Sequence, residues 1–185
     1  MPARPGLGWH TRPVTDPESY PEDLVSTGAE REMFEAFLDA QRREVVRAVR
    51  GVSAADANRR LVPSLTTLAG ILKHLSAVER SWFQRRLAQR DPADIDGRAF
   101  GDDPSWTVGP DESVDDLIAE YDWACAQSRE VAAGCQLDDA VPHERLGEVS
   151  LRWIYAHMIE ETARHAGHAD ILREQIDGWS ATATA

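Results

Sequence analysis

LRWIYAHMIEETARHAGHADILREQID, residues Leu151 to Asp177, contains no proline and one glycine, Gly167. Its apolar residues Leu151, Trp153, Ile154, Met158, Ile171, Leu172 and Ile176 return at helical spacing. That period predicts a single amphipathic helix of roughly 40 Å. At about 100° per residue, His157, Glu161, His165 and His168 fall within an arc of roughly 80°, in company with the apolar residues. Imidazoles and a carboxylate are thus aimed at the interior by the same period that buries the hydrophobes. A carboxylate placed there is costly unless it is paired or bound to a metal. The stretch therefore asks for a metal.

Working outward, the rest of the chain reads as further helices joined by turn-rich connections. Residues 29–49 carry an apolar stripe of Met33, Phe34, Phe37, Leu38, Val45 and Val49. Glu30, Arg31, Glu35, Asp39, Arg42 and Arg43 cover the opposite face, and Gly51 closes the segment. A second long helix is predicted from Ser64 or Thr66 to Arg90, with His74 at the edge of its apolar stripe and Glu79 inside it. Gly70 is suited to a close approach by a neighbouring element. Residues 91–112 have turn chemistry throughout; a loop of that length is more often functional than idle, and Trp106 reads either as a lid or as a surface patch. A third helix is predicted from Asp111–Ser113 to Ala133, then a loop over 134–149, with Ser150 capping the fourth. Five prolines within residues 1–28 predict an extended arm, which Trp9 and Tyr20 are suited to pin down, and residues 180–185 a frayed tail. Four helices without a useful strand pattern make an all-α helical bundle over residues 29–179.

Composition narrows the function. A chain of 185 residues suits one domain, and a net charge of −12 argues against a nucleic-acid surface. No apolar run is long enough to span a bilayer, and the N-terminus lacks a secretory core. Cys125 and Cys135 belong to no paired motif and read as reduced thiols of a cytoplasmic protein.

Residues four apart on a helix stand one above the other, so Glu161 and His165 reach one ion, and His74 from a second helix completes a set of two imidazoles and a carboxylate. Three protein ligands leave a position open, as catalytic zinc sites do. On spacing alone His157 or His168 serves as well as either, and a histidine on an apolar face is more often an ordinary hydrogen-bonded core residue.

Two stretches, SLTTLAGILKHLSAVERSWF (64–83) and SLRWIYAHMIEETARHAGHADILREQIDG (150–178), resemble the DinB-like helical-bundle superfamily, and in particular a bacterial branch related to the mycothiol-dependent maleylpyruvate isomerase. The resemblance implies an up-down-down-up four-helix bundle holding a divalent metal on its second and fourth helices. It assigns the ligands to His74, Glu161 and His165, with Glu161 standing where the common form of the superfamily has histidine. Glu79, His157 and His168 are expected to orient these ligands through hydrogen bonds. Zinc is the first expectation, with nickel, iron or manganese as alternatives. The implied activity is transfer of a low-molecular-weight thiol, mycothiol or bacillithiol, to an electrophilic substrate. A homodimer is also expected, and helical faces left over after bundle closure, for example the Trp82–Phe83 end of the second helix, are candidates for its interface. The isomerase's additional C-terminal domain is not present in these 185 residues, so isomerisation itself is not expected. The rival class is a non-enzymatic metal-binding or stress-response module.

Overall fold

The computed structural model describes residues 20–179. Its long elements are α1 (Glu30–Val49), α3 (Leu68–Glu79), α4 (Val114–Ala133) and α5 (Leu151–Asp177), with a single short turn of helix, α2 (Ala54–Ala57). The chain leaves α3 directly into a π-helical stretch, Arg80–Leu87. Side-chain caps start the helices: the hydroxyls of Thr67, Ser113 and Ser150 accept from the amides of Gly70, Asp116 and Trp153. Gly178, at φ +72°, turns the chain out of α5 through the left-handed region that a side chain disfavours.

Cross-helix contacts give the directions. Arg152 on α5 bonds Glu30 at the start of α1 (2.7 Å), and Arg173 bonds the Ala48 carbonyl near its end (2.8 Å), so these two helices are parallel. On α3, Lys73 reaches Glu112 just ahead of α4 (2.7 Å) and Glu120 within it (2.9 Å). Phe83, further along, faces Ser128 and Ala133 across a cavity of about 250 Å³, so α3 and α4 also run together. The two pairs oppose one another: His74 meets Glu161 and His165 on α5, whereas Trp82 meets Trp153 and His157. One apolar cluster centres on Leu72, Leu75, Leu117 and Tyr121, and a second on Leu38, Phe83, Ile154 and Met158.

Several expectations change. Residues 140–150 are not loop but an antiparallel hairpin, β1 (Ala140–His143) with β2 (Gly147–Ser150). Strands of four residues are too short to show alternation, and Pro142 further obscured them. On α5, Trp153 and Ile171 are exposed while Thr162, Ala166 and Ala169 are buried, because small residues mark where the helix meets its neighbours. Arg42, expected on the outer face of α1, lies inside. Its Nε and Nη2 donate to both oxygens of the fully buried Glu79 at 2.8 and 2.7 Å. Burial works against the guanidinium's charge, but Glu79 outweighs it and raises the Arg42 pKa. The Trp82–Phe83 end offers no spare apolar face either: Phe83 is buried, and Trp82 packs on the rings of His143, Trp153 and His157. Trp9, most of the predicted arm and the tail over residues 180–185 lie outside the described residues. The arm's last portion, Pro21–Val25, forms a 3₁₀ turn.

Candidate metal centre

Two helices and one loop build the centre. α3 carries His74 two turns past its Thr67 cap, and α5 carries Glu161 and His165 one turn apart. The antiparallel register of α3 on α5 brings the three together. Nε2 of His74 and Nε2 of His165 each stand 3.3 Å from the same oxygen, Oε1 of Glu161. One donor atom from each residue lies within 4.8 Å of the others. Two ligand atoms of one tetrahedral ion, each at about 2.0–2.1 Å from it, stand about 3.3 Å apart. The two spacings to Glu161 match that value, and the pair of imidazole nitrogens, within 4.8 Å of each other, has to draw together to share an ion.

The hydrogen bonding decides which nitrogen of His74 is free. Ser105 donates its hydroxyl proton to the Asp102 carbonyl, at 2.6 Å. Its oxygen therefore accepts from Nδ1–H of His74, at 2.8 Å. A neutral His74 then presents a lone pair at Nε2 to a carboxylate oxygen, and two acceptors face each other. Only a cation between them, a proton or a metal, makes that arrangement favourable. The donor set thus fits a divalent ion. Glu161 is held well below the usual carboxylate range, first by its hydrogen bond with His165 and then by that with His74 when Nε2 carries a proton, so it stays anionic. Arg164 adds a further bond to its other oxygen, at 3.2 Å.

The connection between the π-helical stretch and α4 covers the centre. Within its 3₁₀ turn Asp103–Trp106, the indole of Trp106 stacks on His74 (4.2 Å between centroids, 13° between planes). It meets His165 edge-on at 5.3 Å. Gly70 admits this approach, since a Cβ there would lie 3.2 Å from the Trp106 carbonyl oxygen. Of the two readings of Trp106, the structure supports the lid.

The other named residues have different places. Glu79 is committed to Arg42 through both oxygens, so it does not orient a ligand as expected. His157 stacks on Trp153 (5.1 Å, 13°) and packs on Trp82 (4.6 Å), one turn before Glu161, and burial lowers its pKa. His168 is exposed with its ring 5.5 Å from that of His165; its pKa is lowered by burial and by the nearby His165 charge. Among the described contacts neither bonds a proposed ligand. Besides Arg164, the residue that does is Ser105, which sequence reasoning missed: it sits in an aperiodic loop and no spacing ties it to His74. Nδ1 of His165 is buried and lacks a hydrogen-bond partner. A cavity of about 290 Å³, lined by Val62, Ser64, Thr66, His168, Ile171 and Leu172, opens beside His168.

Comparison with curated proteins gives no match. A family model does match, across residues 33–178, and these residues include all three candidate ligands together with the loop that covers them. The chain belongs to the family that this model describes, mycothiol-S-transferase, within the DinB-like superfamily.

Proposed function

We propose that this chain is a divalent-metal-dependent S-transferase that joins mycothiol to an electrophilic small molecule, with His74, Glu161 and His165 as the metal ligands. The observation that carries the reading is the hydrogen bonding around His74. Ser105 takes its Nδ1–H and leaves a lone pair facing an anionic oxygen that His165 also addresses. A bound cation supplies stabilisation of the thiol's anionic form, which raises its nucleophilicity near neutral pH. The chain's own residues do the rest. Glu161 remains charged, Ser105 keeps the His74 ring turned, and Trp106 shields both imidazoles from water. The cavity beside His168, mostly apolar in its lining, suits the electrophile.

The same reading takes zinc as the ion, since two imidazoles and a carboxylate with an open position suit it, although nickel, iron or manganese accept these ligands too. Bacillithiol is the alternative thiol. The parallel and antiparallel pairings of α1, α3, α4 and α5 support an up-down-down-up four-helix bundle. A reduced-thiol reaction and the free Cys125 and Cys135 support a cytoplasmic setting, and no described helix is long and apolar enough to cross a membrane. The exposed Trp123 on α4 supports a homodimer, which sedimentation velocity tests.

Purified protein is expected to carry metal in stoichiometric amount and to consume mycothiol with an electrophile panel only when metal is present. His74→Ala is expected to lose both. Full metal content in that variant refutes the ligand assignment, and metal that resists chelator and added thiol in a protein without turnover favours the binding-module reading.

A further inference from the structure

The α3–α5 groove does not end at the metal centre. Along α5, Trp153, His157, Glu161 and His165 follow one another at intervals of four, forming one ridge. Along α3 and its π-helical continuation, His74, Val78, Trp82 and Arg86 do the same. Because the two run in opposite directions, His74 faces Glu161 and His165, and Trp82 faces His157 and Trp153. The candidate ligands and an aromatic cluster therefore lie at the two ends of one track of side chains along the α3–α5 seam. Trp153 lies two turns from Glu161, about 12 Å along the axis.

The aromatic cluster is built from three elements. Trp82 stacks on His143 of β1 (5.6 Å, 10°), and the guanidinium of Arg86 lies 4.6 Å from its ring centroid. Trp153 stacks on His157 on one face, yet 40 % of it is exposed. The π-helical stretch adds a residue to the turn at this point and re-aims Trp82 toward the hairpin, a local irregularity that often accompanies a binding site.

We infer that this cluster is the seat for the saccharide part of the thiol, an inference that rests on the thiol-transfer reading above. Mycothiol is a cysteine amide of a neutral aminosugar–inositol, two linked six-membered rings beyond the sulfur. With the sulfur at the His74–Glu161–His165 end, those rings extend along the track toward Trp153. Sugar rings present a face of C–H bonds, polarised positive, which is attracted to the negative face of an indole. At its margin the ring nitrogens of His157 and Nε2 of His143, whose Nδ1 already accepts from the Arg145 and Leu146 amides, offer hydrogen bonds to hydroxyls. The ligand's neutral rings require no ion pair, and the aromatic surface supplies none.

The test compares two thiols in the native protein, Trp153→Ala and Trp153→Phe. Loss of the stack is expected to lower kcat/KM for mycothiol about tenfold through KM, and to leave N-acetylcysteine, which has no sugar, within about twofold. Trp153→Phe, which keeps a ring face, is expected to recover most of the loss. Equal losses for both thiols, or no loss for mycothiol, overturn the assignment. Should the native protein transfer neither thiol, the thiol-transfer reading fails. The seat is then judged by saturation-transfer NMR with the sulfur-free N-acetylglucosaminyl-inositol, whose amide keeps the sugar neutral: transfer that Trp153→Ala abolishes upholds it, and absence of transfer in the native protein overturns it.

Discussion

Ser105 contributes one hydroxyl, and that hydroxyl sets the electronic state of the candidate ligand on α3. With its proton held by the Asp102 carbonyl, it can only accept from His74, so the imidazole turns its lone pair toward Glu161. Removing such a partner behind a ligand histidine lowers metal affinity about 10- to 100-fold. Ser105→Ala is therefore expected to keep the native melting temperature to within a few degrees while metal affinity, measured by competition with a chelator, falls by that factor. Unchanged affinity would show that the His74 tautomer is set by something else. The candidate ligands were legible only in part: Glu161 and His165 are one turn apart on a strongly periodic helix, but spacing left His157 and His168 as open as either, and the family resemblance singled out the set with His74. Ser105 was not, since a loop contact carries no period.

At the scale of elements, the connection over residues 91–112 does what a helix cannot: it folds across an end of the groove and lays Trp106 on two imidazoles. Its placement rests partly on Gly97. That residue has φ +88°, and a Cβ there would come within 2.8 Å of Cζ of Arg80. Arg80 cannot easily retreat, being buried and bonded to Glu120 at 2.8 Å. Gly97→Ala combines left-handed strain with this contact and is expected to cost roughly 1–3 kcal/mol. The loss is to be read as a lower melting temperature together with faster removal of metal by chelator, because the loop carries Ser105 and Trp106. A variant that melts lower but releases metal at the native rate would separate the loop's stability from its cover of the site. The hairpin makes the complementary case: Pro142 and strands of four residues hid an element that supplies His143 to the aromatic cluster.

Across the whole molecule, the Arg42–Glu79 pair joins α1 to α3, and Asp39 extends it to Arg129 of α4 at 2.8 Å. A buried pair contributes little net stability against apolar replacements, but breaking one side leaves an unpaired charge. Glu79→Ala is expected to cost about 3–5 kcal/mol, a large share of the 5–15 kcal/mol typical of a domain. Arg42→Met combined with Glu79→Leu is expected to recover most of that loss. Urea titration of the single and double variants measures both. Equal stability of Glu79→Ala and the native protein would mean that water reaches the guanidinium and solvates it.

By itself the sequence determined the helices and the ligand candidates, because helical periodicity and capping are local and every turn repeats the signal. It also placed His74 and Glu161–His165 on two different helices, at positions matching a known superfamily pattern. Only the tertiary structure decided the rest: which face of α5 is buried, that Arg42 of α1 neutralises Glu79, and that Ser105 and Trp106 close over His74. Those facts follow from the register in which distant elements meet. Register is the outcome of packing across the whole bundle, and no short stretch of residues contains it.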